Sequence, residues 1–224
     1  MTRTLTIFIP CAFFVFLLIA DRPFPDFLPE ITGSESGLVE NLQAILLVAA
    51  FIVGANLLVR RPAAASWIKA WIIAGILGAL YVFLEEISYG QHYFNWNTPE
   101  YWQKINDQNE TNLHNTSSWL DQKPRLLLEI GVIVGGIIVP LLRWFRPQAL
   151  PVSLKPILPG NALFITALLA VLPRFYERAI SIMDMDHWHL FARTSEVQEL
   201  YFYYFALIYF IFLAKRPDYS QNKS

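Results

Sequence analysis

The chain has 224 residues, of which 55% are hydrophobic, 15% aromatic and only 16% charged, well under the roughly 25% charge of an average soluble domain. Its 17 basic and 18 acidic side chains nearly cancel, which removes the electrostatic basis for nucleic-acid binding. The single cysteine, Cys11, excludes a disulfide within the chain and any metal site built on cysteine.

The apolar residues gather into runs instead of alternating with polar ones, the pattern of an all-α, polytopic transmembrane helix bundle forming one membrane domain over 1–224. Windows of about 20 apolar residues, the length that crosses a bilayer, predict six spans at roughly 4–20, 38–59, 67–88, 126–145, 160–180 and 196–214. The first run has only Arg3 ahead of it, and Leu18-Ile19-Ala20 lacks a small residue three before a cut. It therefore reads as a retained helix and not as a signal peptide. Residues 21–37, rich in proline and acid, are expected to form an ordered surface loop, and Glu40 opens the second span.

The third run, Trp67 to Leu84, is closed by Glu85-Glu86-Ile87-Ser88-Tyr89-Gly90-Gln91-His92. Two carboxylates at a helix C-terminus oppose its dipole. They also lie close to hydrocarbon, where an ionised acid costs roughly 2.5–3.5 kcal/mol at the helix centre and less toward the ends. A cation, a proton or a set of donors should offset that cost. If the helix continues past Tyr89, Glu85, Ser88 and His92 share one face; if Gly90 ends it, His92 leaves that stripe.

Residues 93–125 form the longest connection. Thr98-Pro99-Glu100 reads as a helix start, with Thr98 as cap and Pro99 at the first helical position. The aromatics Tyr93, Phe94, Trp96, Tyr101 and Trp102 surround it. They predict a short interfacial helix, and an ordinary aromatic belt accounts for them equally. The stretch Asn106 to Asn115 concentrates amides around Glu110 and His114, which are spaced to share an ion or a proton; the bland alternative is an Asn-rich turn that satisfies its own backbone. Glu129 opens the fourth span, and Gly131, Gly135 and Gly136 would allow close helix approach. Pro173 kinks the fifth. In Asp184-Met185-Asp186-His187-Trp188-His189, a His-x-His in extended form can bring both rings to one metal; a wet loop is the plain alternative. Ser195 with Gln198 fits a capping box at the start of the sixth span, beside Glu196 and Glu199.

With both termini in the cytoplasm, Arg3, Arg60, Arg61, Lys69, Arg143, Arg146, Lys155, Lys215, Arg216 and Lys223 lie on the inner side, more than half of the basic residues, as the positive-inside rule asks. All four histidines and every acid except Asp218 then fall outside or at outer helix ends. The candidate catalytic residues are accordingly Glu85, Glu86, Ser88 and His92. Candidate ligands for a divalent metal such as zinc are Glu86, Glu110, His114, His187 and His189. Glu40, Gln91, Asn106, Asn112, Asn115, Glu129 and Glu199 complete the polar set.

Glu85 to Gln91, then Thr98-Pro99-Glu100 and Glu110-Thr111-Asn112-Leu113-His114-Asn115, resemble a group of bacterial multi-pass inner-membrane proteins of uncharacterised function. That resemblance covers about 30 residues and implies an inner-membrane location without supplying an activity. The Glu85-Glu86 pair is also similar to the first motif of CAAX-type intramembrane proteases, where it would activate water. Here Tyr89 and Gly90 stand where that family has arginine, and its later His motifs have no counterpart. The mixture of Ser, Asp and His is similar in kind to alkaline ceramidase-like hydrolases but differs in order and spacing.

The sequence thus predicts a membrane protein with an outward-facing carboxylate, histidine and amide site. Two functions are open. One is a metal-assisted hydrolase or transferase acting on a lipid or lipid-linked substrate. The other is a non-enzymatic assembly or binding protein in which the same residues form a structural network. The nearly apolar inner halves of the spans, Asn56 apart, argue against a carrier.

Overall fold

The computed structural model describes residues 3–21, 37–62, 64–94, 96–106, 110–113, 116–185 and 188–216. Among them the fold is all helical, with no strand. In chain order the helices are α1 (Ile9–Asp21), α2 (Leu38–Arg60), α3 (Ser66–Glu86), the short α4 (Gln91–Phe94) and α5 (Glu100–Ile105), α6 (Ser118–Val132), α7 (Val139–Phe145), α8 (Phe164–Ile182) and α9 (Thr194–Ala214). Leu38–Arg60, Ser66–Glu86, Lys123–Phe145 and Thr194–Ala214 are long and apolar enough to cross a membrane. They mark a multi-pass membrane protein. Thr4–Ala20 is a shorter apolar helix, and α8 carries Arg174, Glu177 and Arg178 in its second half.

Two π-helical turns, Thr4–Phe8 and Ile133–Ile138, each precede a proline by two residues, Pro10 and Pro140. A proline has no N–H for the carbonyl four residues back, and a slip to wider hydrogen bonding accommodates that loss. Side chains on α9 donate to carbonyls of the first such region: the Tyr204 hydroxyl reaches Leu5 O at 2.5 Å and that of Tyr201 reaches Pro10 O at 2.6 Å.

Helix α9 is the centre of the bundle. It packs against α2 and α8 and touches α6, while α3 packs mainly on α2 and reaches α9 through side chains, Trp71 Nε1 donating to the Tyr209 hydroxyl at 2.8 Å. Phe202, Ile208, Val197 and Gln198 on it are fully buried. Gly136, in the fourth span, faces Ala167 of α8 and Phe205 of α9 so closely that a Cβ would lie 2.3 Å and 2.7 Å from their atoms. Gly135 is also tightly enclosed, against Pro159, whereas Gly131 faces open space. The close approach permitted by Gly135 and Gly136 is thus made within the chain.

The helices alternate in direction, so chemistry segregates by end. The starts of α2, α6 and α9 and the ends of α3 and α8 gather acids and their partners at one end. At the other end arginines close helix termini. Arg61 donates to Leu213 O at 2.8 Å and also to Arg216 O, and Arg216 donates to Lys155 O at 2.5 Å and Leu158 O at 2.5 Å. These guanidinium groups satisfy carbonyls that a helix C-terminus leaves open.

Three local expectations change. Helix α3 stops at Glu86 instead of running to 88. α5 does start beside Pro99, but Thr98 supplies no cap; its Oγ1 instead accepts from Gln91 Nε2 at 2.7 Å. The Ser195–Gln198 capping box does not form either: α9 begins at Thr194, and Gln198 is fully buried against arginines.

Candidate functional site

The site is made by the way α3 ends. Its final backbone bond, Ile87 N–H to Phe83 O, spans 3.2 Å. Ser88 and Tyr89 then take left-handed conformations at φ 47° and 55°, and Gly90 follows at φ 105°. Such conformations cost non-glycine residues about 1–2 kcal/mol each and persist only where surroundings hold them. Here the surroundings are Glu110, Thr111, Asn112 and Leu113. Because the chain turns so sharply, the predicted helical stripe of Glu85, Ser88 and His92 is not built.

Glu85 is 4% exposed and accepts at both oxygens, from the Tyr89 hydroxyl at 2.7 Å and the Leu113 N–H at 2.8 Å. Ser88 is fully buried and donates its hydroxyl to Glu110 Oε2 at 2.7 Å. Asn112 Nδ2 donates to that same carboxylate oxygen at 2.5 Å and to Ser88 Oγ at 3.0 Å. Asn106 Nδ2 in turn donates to Asn112 Oδ1 at 2.7 Å, and its Oδ1 accepts from the Glu110 N–H at 3.1 Å. Gln91 Oε1 takes both the N–H and the hydroxyl of Thr111, at 2.8 and 3.0 Å. Partial burial of a residue that keeps 40% exposure, together with the Glu85 carboxylate that it faces, raises the Tyr89 phenol above its ordinary range.

A second group surrounds this turn. Glu86 accepts from the Tyr203 hydroxyl at 2.7 Å. Arg125 pairs with Glu199 at 2.9 Å and donates to Gln198 Oε1 at 2.9 Å. Arg174 reaches Glu129 at 3.4 Å and the same Gln198 oxygen at 3.3 Å. Arg193 sits between Glu196 at 3.1 Å and Glu40 at 3.8 Å, and Gln43 Nε2 donates to Glu196 O at 3.0 Å. Glu177 gathers the Leu190 N–H at 3.1 Å, the Thr194 hydroxyl at 2.9 Å and His189 Nδ1.

The structure therefore joins Glu85, Ser88, Gln91, Asn106, Glu110 and Asn112 in one network. Glu40, Glu86, Glu129 and Glu199 belong to the surrounding collar, and His189 pairs with Glu177. The His92 side chain, His114, Asn115, His187 and the loop over 22–36 lie outside the described residues. Among the described residues no group of three or more His, Cys, Asp or Glu could hold a metal ion, and Glu86, Glu110 and His189 each face a different partner. Sequence reasoning missed Arg125, Arg174, Tyr89 and Tyr203. The tyrosines carried a usable signal, because a phenol at a membrane helix needs somewhere to place its hydroxyl.

As chemistry, a serine hydroxyl directed at a carboxylate is a nucleophile paired with a base. Here the arrangement is closed. Glu110 accepts the serine proton, and the Asn112 amide covers the lone pair that would attack. The chain matches no protein-family model, no curated protein and no solved structure.

Proposed function

We propose that the protein is a six-span membrane protein with both termini in the cytoplasm, in which residues 91–94, 96–106 and 110–113 are clamped to the outer end of the bundle as a rigid binding or assembly platform. Thr4–Ala20 and α8 supply the two spans beyond the four long apolar helices. One observation carries this reading: two buried carboxylates are held by donors from the turn and the clamped segment, Glu85 by the Tyr89 hydroxyl and the Leu113 N–H, and Glu110 by Ser88 and Asn112. Such a network rigidifies and specifies a structure. The exposed aromatics of the clamped segment support it. Phe94 and Trp96 stack at 6.0 Å and 7°, and with Tyr93 and Tyr101 they place amphipathic rings at headgroup level. The resemblance to bacterial inner-membrane proteins fits this location.

The rival reading, a hydrolase or transferase of lipid-linked substrates, draws on the strained backbone at Ser88 and its bond to Glu110. A fluorophosphonate probe on protein in detergent, with Ser88→Ala beside it, separates the two. The clamp reading expects no adduct on Ser88 and a lower melting temperature for Ser88→Ala. A Ser88 adduct with unchanged stability of the variant would overturn it.

A further inference from the structure

At the end of the bundle remote from this site, a groove of about 260 Å³ lies between the C-terminal turns of α2 and α9. Its lower wall is apolar, from Ile52 and Val53, and its rim carries Arg60, Arg61 and Arg216, with Asn56 between. Ile52, Asn56 and Arg60 recur at spacings of four, so they share one face of α2. Asn56 lies about 6 Å deeper than Arg60 along the axis, inside an otherwise apolar span. Both are exposed, and among the described residues neither has a hydrogen bond or ion pair. A bare amide facing hydrocarbon is unfavourable. The segments 60–66 and 146–159 beside this end contain no acid, so nothing in them competes for the Arg60 guanidinium.

We propose that this groove binds the phosphate headgroup of an anionic phospholipid. Arg60 would take the phosphate oxygens through the fork geometry suited to them, while Arg61 and Arg216, whose donors already hold backbone carbonyls, add positive charge at the rim. Asn56 would donate to the glycerol or ester oxygens, and an acyl chain would lie along Ile52 and Val53. The apolar lower wall selects a lipid over a soluble phosphate, which would leave it uncovered. Basic pockets beside membrane helices bind anionic headgroups by the same physics. The site uses none of the residues of the outer clamp, and its occupancy does not depend on which way the chain crosses the membrane.

The experiment is native mass spectrometry with a parallel thermal melt on the full chain, delipidated in neutral detergent. Phosphatidylglycerol, phosphatidylcholine and inorganic phosphate are added separately. Phosphatidylglycerol is expected to stay bound and raise the melting temperature, while the other two do neither. Arg60→Gln and Asn56→Leu should each weaken it about fivefold, the equivalent of roughly 1 kcal/mol per headgroup contact. Arg146→Gln, a basic residue outside the groove, should leave it unchanged. Equal binding of phosphatidylcholine overturns the proposal, as does full binding by both groove variants or equal weakening by Arg146→Gln. Stabilisation by inorganic phosphate alone would identify a soluble-anion site and overturn the lipid assignment.

Discussion

Glu85, at the end of one membrane helix, accepts the backbone N–H of Leu113 at 2.8 Å across 28 residues of chain. One carboxylate thereby fixes the far side of the connection to the helix from which it departs. The Tyr89 hydroxyl holds its other oxygen, so the acid that opposes the dipole of α3 is compensated by donors and needs no metal for that purpose.

Replacing Glu85 should separate shape from charge. Glutamine can accept from Leu113 with its oxygen and donate to the Tyr89 oxygen with its amide, so Glu85→Gln is expected to cost less than about 1 kcal/mol. Glu85→Leu strands the Leu113 N–H and should cost about 1–3 kcal/mol. Thermal melts in detergent and limited proteolysis across residues 106–116 would read this, with the leucine variant cut faster. Equal stability of the two variants would remove Glu85 from the clamp.

Asn112 joins Ser88 to Glu110. Asn112→Leu leaves a buried carboxylate oxygen and the serine hydroxyl short of a donor, and should lower stability by about 1–3 kcal/mol. Adding Glu110→Gln to Asn112→Leu should recover part of that loss, because an uncharged acceptor tolerates burial better. A double-mutant cycle by thermal melting checks this; strict additivity would show that the residues do not act as one network.

Tyr89 makes the clamp sensitive to alkali. Its phenol is raised in the folded protein, so the folded state holds its proton more tightly than the unfolded one. The stability from this group is fully present below the unfolded value of about 10 and is lost as pH rises through the folded value. Melting temperatures above pH 10 should therefore fall less steeply for Tyr89→Phe than for the wild-type chain. Parallel slopes would place the Tyr89 hydroxyl in free water.

Arg125 binds Glu199 and Gln198 together. Arg125→Met should destabilise by about 2 kcal/mol or more, short of the roughly 3–5 kcal/mol of a wholly buried pair, because the two side chains keep 21% and 18% exposure. Arg125→Lys should restore little, since one ammonium cannot span both acceptors. Removing Glu199 as well, in Arg125→Met with Glu199→Leu, should recover most of the loss in a thermal melt.

Labelling of single cysteines in a Cys11→Ser background checks the orientation. Positions in 60–66 and 146–156 should react from the cytoplasmic side and positions in 96–106 from the outer side. The reverse pattern would move the clamp to the cytoplasm.

Long apolar helices were legible because a membrane imposes a length and a composition, and α2, α3 and α9 lie within about two residues of the ranges expected from runs of that kind. The unusual standing of Glu85 was legible for the same reason, as a charge where hydrocarbon penalises it. The turn at Ser88 and Tyr89 was not. Neither residue favours a left-handed backbone, and the conformation is held by Asn112 and Thr111, more than 20 positions away. The ionic collar was half visible: acids at helix starts stood out, but their arginine partners Arg125 and Arg174 lie 74 and 45 residues from Glu199 and Glu129 in the chain, and spacing reports only contacts within one helix.

The central position of α9 has a consequence for biosynthesis. This helix follows the others in the chain, so a ribosome completes α2, α6 and α8 before Gln198, Glu199 and Tyr203 exist. Until then Arg125 waits for both of its acceptors, and Glu86 waits for the Tyr203 hydroxyl. Helix α2 can pair with α3, and α8 with the fourth span, as they enter the bilayer, but the contacts that join these pairs through α9 can form only last.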